Sequence, residues 1–76
     1  MNIIESEKIL ILEVQGMKCK NCSNKIKKNL LEILDVNEVE ISLKKKEVEI
    51  KHDPVLDIDE TIEIIRGMGF KVSIKD

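Results

Sequence analysis

The chain has 76 residues, which leaves room for one domain, since chains this short bury only about 60% of their unfolded surface. A content of 42% hydrophobic and 37% charged residues is too apolar for disorder and too charged for a membrane span. A net charge of -2 excludes a globally basic nucleic-acid binder, and a single aromatic residue offers no platform for stacking bases. Two cysteines are too few for the multi-bridge framework of small secreted domains.

Met1 to Lys8 shows no basic region ahead of a long apolar stretch and no small-residue cleavage site, so no leader is expected. Residues 1–7 read as an N-terminal extension and residues 8–76 as the domain. Ile9–Gln15 alternates with period two, placing Leu10, Leu12 and Val14 on one face, as a half-buried strand does. From Cys22 to about Leu34, Cys22, Ile26, Leu30 and Ile33 fall at helical spacing, with Leu34 adjacent. Val36–Leu43 alternates again, with Val39, Ile41 and Leu43 against Glu38, Glu40 and Ser42. Glu47–His52 does the same through Val48 and Ile50. Ile58, Ile62 and Ile65 predict a second helix to about Arg66. Asp57 stands at its N-cap, Glu60 completes a capping-box pattern and Gly67 is placed as the residue just past the end. A short last strand, Lys71–Ile74, puts Val72 and Ile74 on one face.

The order strand, helix, strand, strand, helix, strand predicts an α+β fold. It is the ferredoxin-like βαββαβ sandwich, a four-stranded antiparallel sheet with two helices on one face. Such a fold hosts many functions, but it brings three loops to one edge: Gln15–Asn21, Lys44–Lys46 and Gly67–Phe70.

The first of these loops carries Cys19 and Cys22. Cysteines at i and i+3, one in the loop and one in the first helical turn, can point at one ion. The helix N-terminus, with Lys18 and Lys20, favours their thiolates. Two soft anionic sulfurs suit Cu(I), whereas a closed zinc site wants four ligands. No third or fourth ligand is evident. His52, at the far end of its strand, is expected to be a solvated strand-end residue and not a ligand.

Gly16-Met17-x-Cys19-x-x-Cys22, between a first strand and a first helix, resembles the motif of the heavy-metal-associated domain family. The resemblance extends from Leu12-Glu13-Val14-Gln15 to Ile65-Arg66-Gly67-Met68-Gly69-Phe70, essentially the whole chain. It implies that Cys19 and Cys22 are the metal-ligating pair and that Met17 packs under the loop without ligating. Phe70 matches a loop position close to the metal, with a partly exposed hydrophobic plug as the plainer reading. Lys18 departs from the small or hydroxylated residue usual there. An Asp there accompanies some zinc-transporting relatives, so its absence leans towards Cu(I).

Charge adds an inference of its own. No acidic residue lies between Val14 and Leu31, but Lys18, Lys20, Lys25, Lys27 and Lys28 do, and Lys44, Lys45, Lys46 and Lys71 join them at the same edge. Asp53, Asp57, Asp59 and Glu60 collect at the opposite end. A basic pole at the metal site would speed encounter with an acidic partner; the plainer reading is a set of solvated lysines.

Together these features predict a cytoplasmic carrier of one Cu(I), not an enzyme, which passes its ion by ligand exchange. The acceptor is a copper-transporting P-type ATPase or another thiol metal acceptor. Neither nucleic acid nor membrane insertion is expected. The metal-free chain is read as a monomer, with a metal-bridged dimer as the alternative when loaded. Hg(II), Cd(II) and Zn(II) stay open as cargo for the same sulfurs. Two other readings stand beside this one. One is the N-terminal metal-binding domain of a copper-transporting P-type ATPase. The other is a thiol–disulfide oxidoreductase, disfavoured by the short chain and by a motif with neither Trp beside it nor Pro within it.

Overall fold

Alternating stretches form the sheet and helical stretches cover one side of it. The computed structural model describes residues 7–75, so Met1–Ser6 of the expected extension, and Asp76, lie outside the described residues. The elements are β1 (Lys8–Gln15), α1 (Lys20–Leu31), β2 (Val36–Ser42), β3 (Glu47–His52), α2 (Ile58–Gly67) and β4 (Lys71–Ile74). The strands lie in the order β2-β3-β1-β4, with every neighbouring pair antiparallel. This is the ferredoxin-like α+β arrangement. α1 packs over β2 and α2 over β4, and the two helices touch.

The core lies between these layers. Leu12 and Val14 from β1 and Val48 and Ile50 from β3 meet Ile26 and Leu30 of α1 and Ile65 of α2, all fully buried. Each such side chain contributes roughly 1.5–3 kcal/mol by leaving water.

Two local expectations change, the bounds of α1 and the end of α2, and two further details emerge in β2 and β4. α1 begins at Lys20, two residues early, and ends at Leu31, not Leu34. The chain tightens there, with Ile33 N–H donating to Leu30 C=O at 3.1 Å and Val36 N–H to Ile33 C=O at 3.1 Å. That turn leaves Leu34 96% exposed. In β2 the register shifts between Val36 and Glu38. This bulge brings Val36 onto the buried face with Val39, although they are three positions apart. Gly67 is helical, and the left-handed residue past the end of α2 is Gly69 at φ 98°. Its N–H donates to Arg66 C=O at 2.9 Å. Ile74, the last residue of the edge strand β4, is 56% exposed, whereas Val72 in the same strand is buried.

His52 also departs from its expected exposure. It is buried, with Nδ1 2.8 Å from the Asp53 carbonyl oxygen, and so is not a solvated strand-end residue. Its place in the alternation explains this, since His52 follows Val48 and Ile50 on the inward face of β3.

Candidate metal centre

The strand leaves its last core residue, Val14, and must turn sharply to enter α1. Gly16 makes that turn at φ 104°, a conformation L side chains rarely adopt. A Cβ at this position would also meet Phe70 Cδ1 at 3.2 Å, so the ring of the α2–β4 loop sits directly over the Gly16 backbone. Met17 and Phe70 are both half-buried and packed against the core. Val14 N–H donates to Lys46 C=O at 2.8 Å, which ties the β2–β3 hairpin to the same edge. The three loops therefore meet as expected.

Cys19 is the N-cap of α1, with extended backbone, and Cys22 is the third helical residue. The Cys19 carbonyl oxygen accepts from Cys22 N–H at 3.1 Å and Ser23 N–H at 3.3 Å, fixing the two cysteines one turn apart. Ser23 is buried beside them and its hydroxyl donates to Lys20 C=O at 2.9 Å. Both cysteines are free thiols, Cys19 exposed and Cys22 half-buried.

The helix start shapes their chemistry. The Cys19 thiol is held below the usual thiol range, chiefly by the Cys22 N–H, then by the Asn21 N–H and the Cys22 thiol, with a smaller pull from Lys25; desolvation opposes them. Cys19 Sγ makes no capping hydrogen bond of ordinary geometry, so these N–H groups act as aligned dipoles near the sulfur. No acidic residue lies in the first turn to compete.

Among the described residues no three His, Cys, Asp or Glu side chains cluster as metal ligands. His52 stands opposite Lys8, at the other end of β1 from the cysteine loop. Seven strand steps separate those ends, about 23 Å at the usual rise per residue, so His52 is no partner for the cysteines. Lys18, Lys20, Lys25, Lys27, Lys28, Lys44, Lys45, Lys46 and Lys71 are all exposed. None of them joins an ion pair among the described residues.

The loop, its cysteines and the lysine pole were legible in the sequence. The Phe70 ring seated on Gly16, and the N–H groups of Asn21 and Cys22 acting on Cys19, were not. The second follows from placing Cys19 at the N-cap, which a helix start at Cys22 obscures.

Residues 11–71 match the family of the heavy-metal-associated domain. Copper-transporting ATPase 2 of Homo sapiens is 34% identical over 71 residues, covering 88% of this chain and 5% of that protein. A copper-exporting P-type ATPase of Staphylococcus aureus (strain JH9) is 37% identical over 65 residues, covering 84% of this chain and 8% of that protein. The chain thus spans only a small part of the length of these relatives. The solution structure of the Atx1-Cu(I)-Ccc2a complex superimposes with a TM-score of 0.82 at 34% identity, covering 90% of this chain and 94% of that one.

Proposed function

The chain belongs to the heavy-metal-associated domain family, and we propose that it carries one Cu(I) between Cys19 and Cys22 and hands it on by ligand exchange. The observation that carries this reading is an uncapped helix N-terminus holding two free thiols one turn apart, with no third ligand residue beside them among the described residues. Two thiolates satisfy a soft monovalent ion while leaving it open to attack. The named relatives that handle copper favour Cu(I) as cargo over Hg(II), Cd(II) or Zn(II).

Transfer then needs no redox change. An acceptor thiolate forms a new sulfur–copper bond, the ion becomes three-coordinate, and one original sulfur–copper bond breaks. Repeating the exchange at the second sulfur completes the handover without free copper. The chain is a carrier, not an enzyme, and its place of work is cytoplasmic, where thiols stay reduced. No helix among the described residues is long and apolar enough to cross a membrane. The lysine pole meets an acidic face on the acceptor, which is the metal-binding domain of a copper-transporting P-type ATPase or another thiol protein. The metal-free carrier is a monomer at physiological ionic strength, and a loaded one can share its ion with a second copy.

A second reading places the same chemistry inside a larger protein, as the N-terminal domain of a copper-transporting P-type ATPase. The copper-transporting ATPases among its relatives favour it.

Competition titration of Cu(I) against a chromophoric chelator, under reducing conditions, tests the site. One Cu(I) per chain is expected, lost in Cys19→Ser and in Cys22→Ser while the far-ultraviolet spectrum is unchanged. Tight binding retained by either variant contradicts the assignment.

A further inference from the structure

The helices cover one side of the sheet, and the open side carries Glu13, Glu38, Glu40, Glu47 and Glu49 against Lys51, Lys71 and Lys75, with the carboxylates clustered on β1, β2 and β3. Cross-strand register on that open face sets Glu13 opposite Glu47 and Glu40 opposite Glu49, with Glu38 opposite Lys51. Like charges directly opposite one another destabilise a sheet, so folding does not account for these two pairs. Lys51 joins Glu38 at 3.2 Å and Lys75 bonds Glu47. Glu13, Glu40 and Glu49 join no ion pair among the described residues. A hollow of about 190 Å³ is lined by Glu40, Ile41, Ser42, Lys45, Glu47 and Glu49. Ile9, on the same face beside Lys51, is 56% exposed and offers an apolar contact.

The carboxylates at the end opposite the cysteine loop, the lower end, differ, because each has a role inside the molecule. Asp57 accepts from Glu60 N–H at 3.0 Å, Asp59 and Glu60 lie in the first turn of α2, and Asp53 accepts from Asn37 at 3.1 Å. On the open face Lys51 and Lys75 answer Glu38 and Glu47, and Gln15 donates to Glu13, which leaves Glu40 and Glu49, opposite one another, without a side-chain partner among the described residues. This acidic patch would repel nucleic acid and anionic lipid alike. Its complement is present on the chain itself, in the exposed and unpaired lysines around the cysteine loop.

We propose that the open sheet face of one copy receives the lysine pole of a second copy. The docking lysines Lys18, Lys20, Lys25, Lys27 and Lys28, in the cysteine loop and on α1, lie on a different surface from Glu40 and Glu49 of β2 and β3, so the contact is head-to-side, and a third copy can add to the second. Docking also covers the cysteine loop of the incoming copy, so at low salt self-association competes with an acceptor for the same lysines. That competition rests on the carrier reading above; the association itself does not.

Sedimentation of the metal-free, reduced chain tests the contact. At about 0.01 M salt the average mass is expected to rise with concentration and pass that of a dimer. At about 1 M it returns to monomer, as the Debye length falls from about 30 Å to about 3 Å. The double variant Glu40→Gln/Glu49→Gln weakens the association roughly tenfold, and so does Lys25→Glu/Lys28→Glu. Mixing the latter with Glu40→Lys/Glu49→Lys restores it. A monomer at every concentration in low salt overturns the proposal. Association indifferent to Glu40→Gln/Glu49→Gln overturns it in favour of the lower acidic end. Loss of association in Cys19→Ser/Cys22→Ser overturns it in favour of a thiol or metal link. Copper stoichiometry of Glu40→Gln/Glu49→Gln reads the carrier assignment separately and is expected to stay at one per chain.

Discussion

The two helices of this chain begin in opposite ways. At α2 the N-cap is Asp57, whose carboxylate takes the Glu60 N–H, and Asp59 and Glu60 add negative charge to the first turn. At α1 the N-cap is Cys19, no side chain caps the first turn and no acid lies in it. Both ends present the same unsatisfied N–H groups and the same partial positive charge. α2 directs them to its own stability, whereas α1 leaves them available to a thiolate. A helix start that looks poor by folding criteria is thus a good place for an anionic metal ligand, and Lys25 adds a smaller pull.

Substitutions that exchange these roles test the contrast. Cys19→Ser has the largest effect, lowering Cu(I) affinity by more than about a hundredfold, beyond the loss typical of an outer-shell change. The same variant is expected to raise the denaturation midpoint of the metal-free protein, because a serine hydroxyl caps where the thiol does not. A fall in that midpoint would show that the α1 terminus is not under-capped. Next in size, Asp57→Ala costs about 1 kcal/mol of stability in urea unfolding and leaves copper affinity unchanged. A loss of affinity there would mean that the two ends are coupled.

The smallest effect is on pH dependence. A thiol whose folded pKa lies below its unfolded value, about 8.5, adds stability that is full above the unfolded value and is lost as pH falls through the folded one. Cys19 is depressed in this sense. The stability advantage of Cys19→Ser over the parent should therefore shrink as pH rises from neutral towards the unfolded thiol value. An advantage independent of pH would remove the helix-terminus effect on Cys19. Alkylation by iodoacetamide, followed by mass spectrometry, should likewise modify Cys19 at a lower pH than an unstructured peptide thiol.

Much of this molecule was legible in the sequence because its signals are periodic. Alternation located the strands, and the ends of β3 and β4 fall where it placed them. The misses have a common origin, in backbone events that break a period. The bulge at β2 let Val36 and Val39 share a face, and the tight turn after α1 expelled Leu34. For α2, two glycines two positions apart competed to end the helix, and the left-handed one was Gly69. His52 is a different case: its place at the end of β3 suggested exposure, whereas alternation with Val48 and Ile50 points it inward, and the inward face wins. At the site the motif identified the cysteines, but Phe70 on Gly16 joins residues far apart in the chain, which spacing cannot show.

X-ray absorption at the copper edge of the loaded, reduced chain tests the central claim most directly. A Cu(I) with two sulfur neighbours and no nitrogen or oxygen ligand is the predicted result. A third protein ligand, or the scattering of an imidazole, would contradict the two-thiolate site.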